Sequence, residues 1–234
     1  LAGITTTVAP SLHGQVAGMV IPLVYFPSFL TYALSVSLVP AVSEAAVQGN
    51  SRAIEWRLRQ SFRLSLIVGA PCAAILTVMA EPLCLLVYGN AEAGRLMQLM
   101  APFTLLWYLQ GPFAAVLQGL DRAKEAMRNS IFGALVKSLL IFLLGWHMGI
   151  DGVVIALNVG IVVVTLLHIA SITRLVSFTF DFREIVKILF AMFLTGWACY
   201  GSVSFLLHNY DLWLGVLGTL VMSGSVYVLC VLLL

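Results

Sequence analysis

YFPSFLTYALSVSLVPAVSEA, residues 25–45, decides how this chain is read. Tyr25 to Val39 carries no formal charge, Pro40 follows, and Glu44 opens a polar segment holding Arg52, Arg57, Arg59 and Arg63. An uncharged run punctuated by Pro27, Tyr32, Ser35 and Ser37 predicts a kinked transmembrane helix that ends at Pro40 and meets the cytoplasm at its charged border.

The rest of the sequence repeats that alternation. Of 234 residues, 61% are hydrophobic and 9% charged, and the mean hydropathy is +1.04, whereas roughly a quarter of a soluble domain is charged. The composition excludes a soluble globular domain. Successive apolar runs approach the roughly 20 residues that cross about 30 Å of hydrocarbon. Strand-length alternation of the barrel type is absent, so the expected fold is all-α and the spans are helices.

Seven spans follow from the apolar runs: about Val16 to Pro40 with Pro22 and Pro27, Leu64 to Ala80 with Pro71, and Leu96 to Leu120 with Pro102 and Pro112, then Asn129 to Trp146, Val153 to Ile172, Ile188 to Leu207, and Leu212 to the end. Thr5, Thr6, Thr7, Ser11 and His13 read as a loop before the first span. Gly49-Asn50 reads as a turn and Ser51 as an N-cap of a basic helix that suits the membrane surface, with Ile54, Leu58 and Phe62 on one face. The segment EPLCLLVYGNAEAGR, residues 81–95, reads as a loop, and HMGIDG, residues 147–152, as a tight turn. The chain opens on Leu1 rather than Met and stops inside an apolar run, so a longer parent is expected, with residues 1–234 forming a single helical membrane domain.

Charge sorts these loops into two sets. Arg52, Arg57, Arg59, Arg63, Arg122, Lys124, Arg128, Arg174, Arg183 and Lys187 fall after spans one, three and five, while the other side receives Arg95 with Glu81, Glu92, Asp151 and Asp211. Basic residues concentrate in cytoplasmic loops, which predicts an external N-terminus and a cytoplasmic C-terminus in the plasma membrane.

Lys137, in IFGALVKSLLIFLLGW, belongs to neither set. Roughly ten residues at about 1.5 Å each separate it from the basic border and place it near mid-bilayer, where a cation costs about 3 kcal/mol and marks a functional site by default. The competing reading is a lysine that reaches a polar pocket or lipid headgroups. Tyr32, Ser35 and Ser37 either line a water-filled path, together with Tyr25, or satisfy backbone and helix partners. Pro22, Pro27, Pro71, Pro102 and Pro112 either kink helices structurally or mark the broken helices of alternating-access transporters. His168 reads as a hydrogen bond between helices. Cys72, Cys84, Cys199 and Cys230 lack metal-ligand spacing and read as free thiols. There is no nucleophile elbow, P-loop or HExxH, so neither an enzyme, a cofactor, a metal nor a nucleic-acid partner is expected.

The borders themselves carry a resemblance. LTYALSVSLVPAVSEA (30–45), the span SLIVGAPCAAILTVMAEPLCLLVYG (65–89), LQGLDRAKEA (117–126), GALVKSLLIF (133–142) and the turn GIDGVVIA (149–156) resemble, in order and side, the stage V sporulation protein B branch of the polysaccharide-exporter families. That superfamily also holds multidrug and toxin extrusion transporters and the lipid II flippase of peptidoglycan synthesis. The resemblance implies about fourteen helices in two lobes around a cavity, of which this chain is the C-terminal one and lacks its N-terminal partner. It also implies movement of a lipid-linked oligosaccharide or peptidoglycan precursor across the cytoplasmic membrane, with membrane lipids as further partners and a tail groove between the last two helices. The flippases' eighth helix supplies a cation to the cavity, and Tyr25 to Val39 has none. A cation-coupled multidrug exporter, which would want carboxylates within spans, and a non-transporting scaffold for envelope assembly remain the alternatives.

Overall fold

In the computed structural model, residues 14–176 and 181–233 are described; the opening loop expected around Thr5 to His13 lies outside them. The expected first span is divided in two. A π-helical turn, Val16–Val20, runs into α1, Ile21–Tyr25, with Pro22 at the join. The helix then breaks at Phe26-Pro27 before α2, Ser28–Val47. Carbonyls at such a break need donors from elsewhere when the surroundings are apolar. The Tyr108 hydroxyl donates to the Val24 carbonyl at 2.7 Å, and Ser28 Oγ to the Tyr25 carbonyl at 2.6 Å.

α2 does not stop at Pro40 but continues to Val47. Buried Leu38, Val42 and Ala45 join one apolar core with Leu109, Phe113, Val116 and Leu117, and that burial outweighs the one backbone bond a proline removes. Gly49, at φ +64°, then reverses the chain.

Asn50, rather than Ser51, caps α3, Ser51–Val78, its Oδ1 accepting from the Ala53 N–H at 3.1 Å. The basic stretch is thus the first half of a single 28-residue helix and not a separate surface helix. At about 1.5 Å per residue α3 is longer than the hydrocarbon is thick, so its arginine-rich turns can extend into the polar zone. Residues 80–100, expected largely as a loop, fold into a helical pair, α4, Ala80–Tyr88, and α5, Ala91–Met100. Burial of Ala80 and Cys84 against Ala93, Leu96, Met97 and Met100 explains the difference. A Cβ on Gly94 would collide with the Glu81 backbone, so glycine sets the closeness of this pair.

A short 3-10 turn, Ala101–Phe103, bearing Pro102 leads to α6, Thr104–Gly119. α7, Ala123–Met148, and α8, Ile150–Leu175, form a hairpin joined by Gly149 alone, at φ +61°. α9, Phe182–Asn209, starts on an Asp181 cap, and α10, Leu212–Leu233, follows. Pro71 and Pro112 lie within α3 and α6, which continue past them. Among the described residues seven helical segments, one of them α5 and α6 taken together across the 3-10 turn, are long and apolar enough to cross a membrane, and there is no strand. The chain is an all-α, multi-pass membrane protein.

Two hairpins flank a central group. α2, α3 and α6 pack on one another; α7 packs mainly on α8, α8 on α6, and the α9/α10 hairpin on α3. Small residues and amides set these contacts, as expected where lipid tails compete equally for apolar surface. A Cβ on Gly119 would stand 2.7 Å from Val42 Cβ and 2.9 Å from the Val39 carbonyl oxygen, and one on Gly133 would collide with Val164. Asn129 donates to the Leu167 carbonyl at 3.2 Å and to Ser171 at 2.8 Å, and Asn158 to the Leu99 carbonyl at 2.8 Å. All four cysteines are free.

Candidate functional site

Where α1, α6, α7 and α8 meet, they border a half-open chamber of about 200 Å³ lined by Tyr25, Trp107, Gln110, Ser130, Lys137 and Gly160, among others. Tyr25 ends α1 at the proline break, which directs its ring onto Trp107: the two stack with centroids 4.3 Å apart and planes 6° from parallel. Lys137 comes from the middle of α7. Gly160 on α8 makes room for its stem, because a Cβ there would stand 3.0 Å from Lys137 Cβ. Lys137 is half-buried, and among the described residues no carboxylate pairs with it. An unpaired cation on the wall of a membrane-embedded cavity favours an anion there.

A second chamber, of about 300 Å³, adjoins the first through shared walls of Trp107, Gln110 and Ser130. Its own walls are Ser28, Thr31 and Tyr32 from the start of α2, Gly111 and Ala114 from α6, and His168 from α8. Gln110 spans the divide, and its amide nitrogen donates to the Ile161 carbonyl at 3.0 Å and to Thr165 Oγ1 at 3.1 Å, fixing α6 on α8.

The structure therefore brings Tyr25, Tyr32 and Lys137 to one composite site. It places the other two candidates elsewhere. Ser35 is buried with its hydroxyl on the Thr31 carbonyl at 2.7 Å and beside Gly111, and exposed Ser37 donates to the Leu34 carbonyl at 2.9 Å. Of the prolines, Pro27 breaks the helix beside the site and Pro102 introduces the helix that carries Trp107; Pro22, Pro71 and Pro112 line neither chamber. Sequence reasoning missed Trp107, Gln110 and Ser130. A signal was present in Gln110, an uncharged polar residue inside an otherwise apolar span. His168, expected to bond across helices, instead bonds through Nδ1 to the Val164 carbonyl of its own helix at 2.8 Å.

Elsewhere, a pocket of about 120 Å³ between α3, α9 and α10 is lined by Arg63, Ile67, Glu184, Lys187, Ile188 and Val231, with Arg63 and Glu184 paired at 3.3 Å. On the other loop side Arg95 grips Asp151 with both nitrogens, at 2.9 and 3.1 Å, tying α5 to the start of α8.

Comparisons with known proteins agree with this architecture. The chain is 42% identical over 186 residues to stage V sporulation protein B of Bacillus subtilis, a match that covers 79% of the chain and 36% of the relative. It is 23% identical over 163 residues to the lipid II flippase MurJ of the same organism, covering 68% of the chain and 30% of that relative. The chain thus spans about a third of the length of these curated relatives. Among solved structures, lipid II flippase MurJ in an inward closed conformation superposes with a TM-score of 0.70 at 14% identity, covering 90% of the chain and 46% of that protein. An outward-facing multidrug resistance MATE family transporter of the MOP superfamily follows the same fold with a TM-score of 0.58 at 20% identity, covering 82% of the chain and 46% of that protein. The family model described as lipid II flippase MurJ matches residues 23–224, nearly the whole described structure, and this chain belongs to that family.

Proposed function

We propose that this chain is one lobe of a two-lobed flippase that moves a lipid-linked oligosaccharide or peptidoglycan precursor across the cytoplasmic membrane by alternating access. Family membership supports the transporter class, and the chain's coverage of about half of the MurJ structure supports the two-lobed arrangement. The observation that carries the reading is Lys137, a cation in mid-helix with no carboxylate partner among the described residues, lining a chamber bordered by aromatic and polar side chains. A phosphate crossing an apolar layer needs such a partner, and Lys137 offers a mobile cation with three donors. It replaces the cation that α2 does not supply.

Tyr25, Tyr32 and Lys137 then lie on the substrate path, and the break at Pro27 is where α1 and α2 shift between access states. The concentration of basic residues in one set of loops supports a cytoplasmic C-terminus. No step in this transport makes or breaks a covalent bond. The test is a flipping assay with the two-lobed protein in liposomes containing a labelled lipid-linked sugar diphosphate. Wild type moves the label and Lys137→Ala, at equal folded amounts, does not; no movement by folded wild type refutes the proposal.

A further inference from the structure

Beyond the cation, the composite site contains a second polar feature. His168 is only 1% exposed, yet its Nε2 has no hydrogen-bond partner among the described residues, and the side chain forms part of the wall of the second chamber. Its Nδ1 faces a carbonyl oxygen, which can only accept, so Nδ1 carries the proton and the neutral ring presents Nε2 as a bare acceptor. A buried acceptor left without a donor is costly, which asks for a donor from whatever enters the chamber.

The surrounding groups ask for the same thing. Ser28 Oγ donates to the Tyr25 carbonyl, Thr31 Oγ1 to the Ser28 carbonyl at 3.0 Å and Ser130 Oγ to the Ala126 carbonyl at 3.0 Å, so each hydroxyl has spent its hydrogen on its own backbone and retains lone pairs. The Gln110 amide nitrogen is likewise engaged on α8, which leaves its carbonyl oxygen as the remaining polar group. The second chamber thus sets several acceptors beside two neutral donors, the Tyr32 hydroxyl and the Trp107 indole N–H, while the first offers the cation Lys137. The formal charge is confined to the first chamber, with the flat Trp107 ring in the shared wall. Along α7, Ser130 lies seven residues from Lys137, a helical rise of about 10 Å. That separation suits a phosphate at one end and a ring carrying several hydroxyl groups at the other.

We infer that the chamber floored by His168 is a carbohydrate subsite, which accepts hydroxyl hydrogens from the sugar whose phosphate lies at Lys137. The inference rests on the flippase reading and adds to it the part of the substrate that is recognised. A neutral lining in which acceptors outnumber donors selects a polyol, which brings both, over a second anion, which brings no donors, and the aromatic wall gives the ring an apolar face to lie against.

The test compares binding of two probes by the two-lobed protein in nanodiscs: a polyprenyl diphosphate, and the same lipid bearing a sugar. Wild type binds the sugar-bearing probe more tightly. His168→Phe, which retains a planar ring and removes the acceptor, weakens the sugar-bearing probe about tenfold and leaves the bare diphosphate unchanged. His168→Gln, which restores an acceptor oxygen, recovers part of that loss, whereas Lys137→Ala weakens both probes. Equal binding of the two probes by wild type, or an equal loss of both in His168→Phe, overturns the subsite and leaves the flippase standing. Binding of neither probe by folded wild type overturns both.

Discussion

Pro71 has no N–H for the carbonyl of Ile67, four residues before it, and in the structure that carbonyl accepts from the Tyr227 hydroxyl of α10 at 2.7 Å. Tyr227 is 6% exposed, so water does not replace it readily. Removing the hydroxyl loses one hydrogen bond and strands the Ile67 oxygen, which together cost about 1 to 2 kcal/mol, near the upper end for polar contacts between membrane helices. Tyr227→Phe should therefore destabilise the protein by about that amount in a denaturant-titrated unfolding experiment in bicelles. The sharper measurement is the double-mutant cycle with Pro71→Ala. Alanine restores an N–H that can bond Ile67 within α3, so in that background Tyr227→Phe should cost only about 0.5 kcal/mol. Equal costs in the two backgrounds would refute the idea that Tyr227 substitutes for the missing proline donor.

Other consequences are more direct. Gly133→Leu forces α7 away from Val164 and should sharply lower the folded yield, measured by size-exclusion after membrane extraction, whereas Gly224→Leu, where a Cβ meets nothing, should leave it unchanged. Asn129→Leu removes two bonds that tie α7 to α8 and should cost about 1 kcal/mol of unfolding free energy. Arg95→Ala breaks a pair whose arginine side chain is 52% exposed, so the stability change should stay below about 1 kcal/mol. For topology, Lys124→Cys should react with an impermeant maleimide only after the cytoplasmic face is opened, and Glu92→Cys from outside in intact cells.

Much of this architecture was legible because a membrane constrains composition so strongly. Charge-free runs between Tyr25 and Val39 or Val153 and Arg174 leave little choice but a spanning helix, and seven were expected where seven are found. Boundaries were harder to read. Pro40 reads as a stop, but local propensity says nothing of the apolar core that Val42 and Ala45 join; residues 81–95 read as a loop, because nine- and ten-residue helices lack the length of a span. Lys137 stood out because charge is rare in such a sequence. Trp107, Gln110 and Ser130 did not, because what unites them is the crossing of α6, α7 and α8, and no spacing within one helix encodes a crossing. Ser35 and Ser37, drawn from the same turn of sequence as Tyr32, show the converse: neighbours on a helix point to different surroundings.

The attachment of α7 has a mechanical consequence. Of its 26 residues only Ala126, Asn129 and Gly133 are buried, and it is held mainly by α8, through close packing along the hairpin and a one-residue joint at Gly149. Yet this helix, packed on one side only, supplies Lys137 to the first chamber and Ser130 to both, while Tyr25, Trp107, Gln110 and His168 come from the better-buried elements. Because Gly133 sits against Val164, Gly160 against Lys137, and Asn129 bonds to Leu167 and Ser171, any shift of α7 would carry α8 with it and keep the lysine in its seat. A cation mounted on a lipid-facing hairpin, and not inside the core, would therefore travel with that hairpin as one unit.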